Sequence, residues 1–184
     1  MKQLFFLVEE PSMKEVLDAL LPFILPPEVG FKIIKHEGKQ DLERSIPRKL
    51  KAIQIPGVQF IVVRDQDSAD WIQVKERLRT LCIQSGRKDS LVRIVCNELE
   101  SWFLGDLAAV EQAFHRRGLA GRQGNAKYRN PDELHNAAQE LKKLVPEYQK
   151  ISGSRAIAQH MTPDNNCSHS FQVFIEGVRR CSSR

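Results

Sequence analysis

The sequence predicts an α/β fold in which a mostly parallel sheet is flanked by helices and followed by a helical C-terminal part. Over the first hundred residues, apolar runs of strand length alternate with segments of helical periodicity. The second half contains no strong strand signal. The chain has 184 residues, 41% of them hydrophobic, which is enough to bury a core without disulfides. We therefore predict an α/β core at 1–114 and, at 115–184, a basic glycine-rich loop with helices packed on that core, all within one compact domain.

Four segments have the composition of buried strands. Residues 4–8 form a short, continuous apolar run, which is typical of a strand covered on both faces, and residues 58–63 are the clearest strand of the chain. Shorter apolar runs predict two further strands at 31–34 and 91–96.

The segments between these strands have helical periodicity. Ser12 is predicted to cap the first helix, with Glu15 as its capping-box partner, and two prolines end this helix. The second predicted helix spans 41–55 with a break near Pro47, and the third begins at Ser68 or Asp70. In the second half, helices are predicted at 110–114, 134–144 and 171–178.

Acidic residues collect where the predicted strands end. Glu9 and Glu10 follow the first strand, Asp65 and Asp67 the third, and Glu98 and Glu100 the fourth. Ligands of open parallel sheets bind beyond the carboxyl ends of the strands, and carboxylate oxygens suit Mg²⁺ or Mn²⁺. An extended backbone would direct Asp65 and Asp67 to one face. The alternative is that these acids only form turns and helix caps.

The positive charge of the chain lies mainly in its second half. The net charge is +5, with 16 basic and 15 acidic residues up to residue 100 but 12 and 8 after it. Five basic side chains and three glycines lie between 115 and 129, where Tyr128 could also stack on a base. This loop could hold nucleic-acid phosphates, or it could be a solvated loop that serves only solubility. Its basic residues are Arg116, Arg117, Arg122, Lys127 and Arg129.

Two of the acidic segments resemble the Toprim fold of primases, topoisomerases and OLD-type nucleases. Residues 8–12 resemble its strand–Glu–Gly turn, and residues 62–67 resemble its Asp-x-Asp strand end. The resemblance is closest to a Toprim-like family known as domain of unknown function 4276, and it covers nearly the whole chain. Its members tend to be bacterial and are often encoded beside an AAA-type ATPase. The further matching segments are 98–106, 127–131 and the helix that contains Ser170 and Phe171.

The resemblance implies roles for individual residues. Glu9 matches the Toprim glutamate, which is a metal ligand or general acid/base, while Asp65 and Asp67 match the metal-binding aspartates. Glu100 matches the acid of the later motif and Asp106 its end. Two departures stand out: Glu10 replaces the usual glycine, and Ala69 occupies the place of a third acid.

The residue after Ala69 is Asp70, which lies one position later than the third acid of the motif and is also a candidate helix cap. Glu10, Glu98, Asp70 and Asp106 are therefore secondary candidates for the acidic site.

The resemblance implies a Mg²⁺- or Mn²⁺-dependent nuclease, the effector of an ATPase-associated anti-phage or DNA-repair system. One alternative is a catalytically degenerate partner that binds protein or nucleic acid, and another is a phosphoryl-transfer enzyme acting on a small nucleotide. Dehydrogenase, autonomous ATPase and esterase functions lack their glycine-rich, phosphate-loop and nucleophile motifs.

The remaining signals concern the cellular setting. The apolar run near the start is too short for a signal peptide, and no run approaches the roughly 18 residues that span a bilayer. Four cysteines without a Cys-x-x-Cys pair indicate reduced thiols in a cytoplasmic protein. A zinc set is disfavoured because the spacing of its four residues matches no familiar site: His160, Cys167, His169 and Cys181.

Overall fold

The structure is a computed structural model that describes residues 2–183; Met1 and Arg184, the ends of the predicted ranges, lie outside the described residues. Four strands form one parallel sheet in the order β2-β1-β3-β4. The α/β prediction with a parallel sheet is therefore confirmed. The strands are β1 (Gln3–Val8), β2 (Gly30–Lys35), β3 (Val58–Asp65) and β4 (Leu91–Val95).

Helices connect the strands and form most of the second half of the chain. Within residues 2–183, no helix combines the length and the apolarity needed to cross a membrane. The helices are α1 (Pro11–Ile24), α2 (Lys39–Ala52), α3 (Trp71–Gln84), α4 (Leu99–Leu104), α5 (Leu107–Phe114), α6 (Ala126–Arg129), α7 (Ala137–Leu144), α8 (Lys150–Ala158) and α9 (His169–Ser183), with 3-10 turns at Ala120–Arg122 and Pro131–Glu133.

The two faces of the sheet have separate cores. α2 and α3 cover the face formed by Phe5, Leu7 and Phe60. The other face packs against α1 and the helices of the second half. Trp102 is fully buried on this side, and its indole N–H donates to Ser170 Oγ at 3.0 Å. The helical C-terminal part thus shares a core with the sheet, while the predicted boundary after residue 114 stays a prediction.

Two predicted helix features are wrong. Ser12 lies inside α1 and does not cap it, and Glu15 pairs with Arg155 instead of closing a capping box. Pro47 lies within a continuous α2, because buried Leu42 and Leu50 hold the helix against the sheet on both sides of the proline. The sequence analysis did not predict helices α4 and α8, because both are short and lack a clear polar face.

Candidate functional site

Glu9 is the buried acid at the carboxyl edge of the sheet. Its side chain follows β1 and is only 7% exposed as a residue. Within the described chain, Glu9 Oε2 has no hydrogen-bond partner, and neither has Arg64 Nε, which lies 3.6 Å away. Gly38 N–H donates to the Glu9 carbonyl at 3.0 Å and fixes the backbone here. Glu9 Oε2 is therefore a buried hydrogen-bond acceptor without a donor. This arrangement costs free energy of folding unless a proton or a cation binds the oxygen.

Arg64 only partly neutralises Glu9. Its Nη1 donates to Glu43 Oε1 at 2.8 Å, and Arg77 binds the other oxygen of Glu43. Burial, followed by the negative charge of Asp67, raises the pKa of Glu9 to about 7 against the opposing effect of Arg64. Glu9 can therefore hold or release a proton near neutral pH, as a general acid or base must.

Asp65 joins the end of β3 to the start of α4. Its Oδ2 accepts a hydrogen bond from Leu99 N–H at 3.1 Å. Burial raises the pKa of Asp65 well above its usual range, and the charges of Glu100 and Glu9 raise it further. Parallel pairing places Asp65 opposite Val95, so the end of β3 lies beside the start of the Glu98–Glu100 segment. The sheet therefore brings the acids of three strand ends close enough to repel one another.

Glu100 lies in the first turn of α4 and is almost completely buried. Tyr148 O–H donates to Glu100 Oε1 at 3.0 Å, and Ser154 Oγ lies 3.2 Å from the same phenol oxygen. Burial raises the pKa of Glu100 although this hydrogen bond opposes the rise. Sequence analysis missed Tyr148, which lies far along the chain in a segment without a motif.

A small cavity separates the acids that follow β1 and β3. It measures about 10 Å³ and is lined by Glu9, Glu10, Arg64 and Asp65 together with apolar neighbours. This volume corresponds to about one water-sized sphere. The cavity can hold one small polar species between Glu9 and Asp65.

Lys150 is a second cation at this acidic edge, and sequence analysis missed it as well. Its ammonium group forms an ion pair with Glu10. Burial lowers the pKa of Lys150, but the hydrogen bond to Glu10 and the charges of Glu10, Glu100 and Asp65 together raise it above its usual value. Lys150 therefore remains charged beside the carboxylates.

Asp67 lies further out than its neighbour Asp65. The extended backbone expected through Asp67 ends at Asp65, and Asp67 adopts a left-handed φ of 56°. Its carboxylate is exposed and lies 4.0 Å from Lys39 Nζ. The charge of Asp67 still acts on Glu9, whose pKa it raises.

The three remaining acids have structural hydrogen bonds. Glu98 Oε2 accepts from Ala138 N–H at 2.8 Å, at the start of α7. Asp70 caps α3 through Ile72 N–H, and Asp106 caps α5 through Ala109 N–H. Each of these side chains is held by a helix start and lies apart from the cavity lining.

The basic segment 115–129 is folded and partly neutralised. Arg116 forms a two-pronged ion pair with Glu147, and Lys127 binds Glu140. Tyr128 is buried, so the expectation that it stacks on a base is wrong. Gln123 orders the segment by donating to the carbonyls of Leu104 and Tyr128. Among the basic residues of segment 115–129, Arg117, Arg122 and Arg129 are exposed and form no ion pair with the described residues.

Across the described part of the chain, no three His, Cys, Asp or Glu side chains are grouped as a metal site. At the acidic edge, the inward-facing candidates are Glu9 and Asp65, with Glu10 bound to Lys150 and Glu100 bound to Tyr148.

Gly153 allows Tyr148 to reach Glu100. A Cβ atom at this position would collide with the Tyr148 ring. We expect Gly153→Ala to lower the free energy of unfolding by about 1–3 kcal/mol, the usual cost of overpacking. Thermal unfolding measures the change, with Gly121→Ala as the control because its added Cβ meets nothing within 4 Å. Equal melting temperatures for the two variants would contradict this account of Gly153.

Comparison with known proteins places this geometry in a family. Residues 8–179 match the model of a domain of unknown function (DUF4276). The C-terminal region of the Burkholderia pseudomallei OLD protein has a similar structure, with a TM-score of 0.63 and 17% identity over 97% of this chain and 98% of that one. No curated protein matches the chain. The fold is thus Toprim-like and related to that OLD region, and the chain belongs to the DUF4276 family.

Proposed function

We propose that the protein is a Mg²⁺- or Mn²⁺-dependent nuclease that hydrolyses nucleic-acid phosphodiester bonds. The observation that carries the proposal is the buried Oε2 of Glu9, which accepts no hydrogen bond within the described chain and lies at a cavity of about 10 Å³ also lined by Asp65. The Toprim-like fold supports it, because the family resemblance implies divalent-metal chemistry at these strand ends.

The residues present fit a divalent cation. Mg²⁺ is usually held by one or two carboxylates and several waters, so a cage of three protein ligands is not required. Glu9 and Asp65 offer hard oxygen ligands, and burial raises the pKa of each. A cation would remove this cost by compensating the charged forms. Asp67 and Glu100 are the additional candidate ligands, since their charges act on Glu9 and Asp65 respectively.

The side chains of this site can take different roles in hydrolysis. A bound divalent ion would supply charge stabilisation for the attacking and leaving oxygens. Glu9 can accept or return a proton at Oε2 near neutral pH. Lys150 can exchange its ion pair with Glu10 for a substrate phosphate, because its side chain is half exposed.

Three exposed arginines are candidates for holding the nucleic-acid backbone: Arg117, Arg122 and Arg129. We expect the triple alanine variant to bind nucleic acid more weakly and with a flatter salt dependence, losing a slope of about 0.7–0.9 per phosphate contact. Titrations of labelled DNA at several salt concentrations measure this. The control is Lys51→Ala combined with Lys88→Ala, exposed cations near the opposite edge of the sheet. If both variants lose the same slope, these arginines make no specific contact with the nucleic acid. Arg116 and Lys127, which form ion pairs with Glu147 and Glu140, stay unchanged in this test.

The resemblance to the family also motivates the proposed partners. We propose that an AAA-type ATPase encoded nearby acts with this protein on nucleic acid in a bacterial defence or repair system. An effector that needs such a partner would be inactive alone, so the activity test includes the ATPase.

The deciding experiment measures metal-dependent cleavage of plasmid, linear and single-stranded DNA and of RNA, with and without the ATPase. Wild type is compared with Glu9→Ala and Asp65→Ala in Mg²⁺, Mn²⁺ and EDTA. We expect either substitution to lower cleavage by roughly 10²-fold or more, since several kcal/mol of charge stabilisation depend on these ligands. Equal traces of cleavage by wild type and both variants would reject the nuclease function.

A second candidate is a catalytically degenerate protein that binds protein or nucleic acid. The neutralisation of the outer acids by cations of the same chain favours it. Glu10, which replaces the usual glycine, binds Lys150, and Asp67 lies near Lys39. Nucleic-acid or ATPase binding that is unchanged by EDTA and by Asp65→Ala, with no cleavage, would support this candidate.

A further inference from the structure

A cleft of about 650 Å³ lies along the free edge of β4, outside the acidic site. Its floor is the edge strand itself, and its walls are the starts of α3 and α9. Segment 130–135 closes the end nearest the carboxyl edge. The side chains that matter for its chemistry are Trp71, Lys75, Ile94, Asn130, His135 and His169.

Trp71 presents an aromatic face at the mouth of this cleft. It is the first residue of α3 and remains 45% exposed, whereas Trp102 is completely buried in the core. Lys75, one turn further along α3, places Nζ 5.7 Å from the centroid of the Trp71 ring. A half-exposed indole with a cation beside it offers both stacking and charge to a planar ligand.

The cleft does not suit an added peptide strand. Side chains of the protein already bind backbone groups of the β4 edge. Arg93 Nη1 donates to the Val92 carbonyl at 3.0 Å, and Cys96 N–H donates to Ser170 Oγ at 3.3 Å. A peptide that extended the sheet would need these groups free.

The cleft borders the loop that carries two of the acids. Gln66, which lines the cleft, lies between Asp65 and Asp67 in the loop after β3. Gln66 N–H donates to the Val95 carbonyl, and Asp67 N–H donates to the Asn97 carbonyl, both at 2.9 Å. A ligand that reaches from the acids along this loop therefore enters the cleft beside Trp71.

We propose that the cleft binds an unpaired base of a single-stranded nucleic acid, stacked on Trp71, while the attached phosphate lies at the acidic edge. This inference rests on the proposed function and specifies its substrate. The lining supports a base more than a phosphate, because its cations Lys75 and Arg93 are matched by Asp132 and Glu133 around an apolar floor. A paired base in a duplex cannot offer its face to Trp71 without leaving the stack.

Tryptophan fluorescence tests the position of the base. The probe is a ten-residue oligothymidylate, titrated in EDTA and again in Ca²⁺. We expect saturable quenching of the emission from Trp71, since the buried Trp102 is shielded. A blunt DNA duplex of the same length should quench less. Absence of quenching in both buffers, or equal quenching by the duplex, would overturn the proposal.

Anisotropy of the same oligonucleotide, labelled with fluorescein, measures affinity. We expect Trp71→Leu to weaken binding roughly 5- to 150-fold, the range for one lost base–aromatic stack, and Trp71→Phe to retain most of the affinity. Ile83→Ala is the control, because Ile83 is an equally exposed apolar residue near the other end of α3. Wild-type affinity in Trp71→Leu, or an equal loss in Ile83→Ala, would overturn the proposal.

The proposed function and this inference fail in different ways. Metal-dependent cleavage that requires Asp65 but is unchanged in rate and KM by Trp71→Leu would leave the nuclease function standing and reject the base site. Oligonucleotide binding that requires Trp71, without cleavage under any condition, would reject the nuclease function and keep the base site.

Discussion

Asp65→Asn is expected to melt at a higher temperature than the wild type in EDTA at neutral pH. Asp65 is a partly buried carboxylate whose pKa is raised by burial and by the charges of Glu100 and Glu9. Asparagine keeps an oxygen for Leu99 N–H but carries no charge. Relief of an uncompensated buried group contributes about 1–3 kcal/mol. For a chain of this size that corresponds to a rise of roughly 2–12 °C, which calorimetry can measure.

The melting temperatures of wild type and Asp65→Asn should respond differently to a divalent metal. Mg²⁺ or Mn²⁺ is expected to raise the melting temperature of the wild type and to leave that of Asp65→Asn nearly unchanged, because a cation stabilises only the state that binds it. Asp89→Asn serves as the control, since Asp89 is an exposed acid in the loop before β4. A wild type without a metal shift, together with a variant that is no more stable in EDTA, would reject a cation site at Asp65.

Glu9 is expected to make the metal-free protein less stable as the pH rises from about 4.5 to about 7. In the folded state its pKa is raised to about 7, mainly by burial, whereas the unfolded chain has the ordinary value of 4.5. Between these values the folded state binds more protons than the unfolded state, so the free energy of unfolding falls with increasing pH. The full effect is about 3 kcal/mol.

Urea unfolding of wild type and Glu9→Gln across this pH range measures the effect as a difference. The comparison is necessary because His36, whose pKa is lowered by burial, acts in the opposite direction: its contribution is lost as the pH falls below about 6.5. Glu28→Gln is the control, since Glu28 is exposed. Parallel curves for wild type and Glu9→Gln would show that Glu9 titrates normally.

Sequence patterns predicted the sheet because each strand is a short, mostly apolar segment between segments of helical periodicity. The positions of Glu9 and Asp65 at strand ends were equally visible, since parallel strands place their carboxyl ends at one edge. The side chains that bind these acids could not be predicted from the sequence. Tyr148 and Lys150 reach the acids only through the packing of α8 against α1 and α5, which no local pattern encodes.

The local sequence did not predict which aromatic side chains are exposed. Tyr128 lies in a glycine-rich basic segment, yet its ring is buried because Gln123 folds that segment back onto the protein. Trp71 and Trp102 each lie near the start of a helix, yet Trp71 is half exposed beside a cleft while Trp102 is completely buried. In both cases tertiary packing decides which aromatic ring faces the solvent, and the sequence does not encode this locally.

The two backbone bonds that tie Gln66 to Val95 and Asp67 to Asn97 have a consequence for hydrogen exchange. They continue the pairing of β3 with β4 beyond the ends of the strands, so the acidic loop cannot open unless this pairing breaks. The amide protons of Gln66 and Asp67 should therefore exchange together and slowly, as one cooperative unit with the edge of the sheet. A cation held by Asp65 would slow both amides by the same factor, which gives a residue-level view of binding without any substrate.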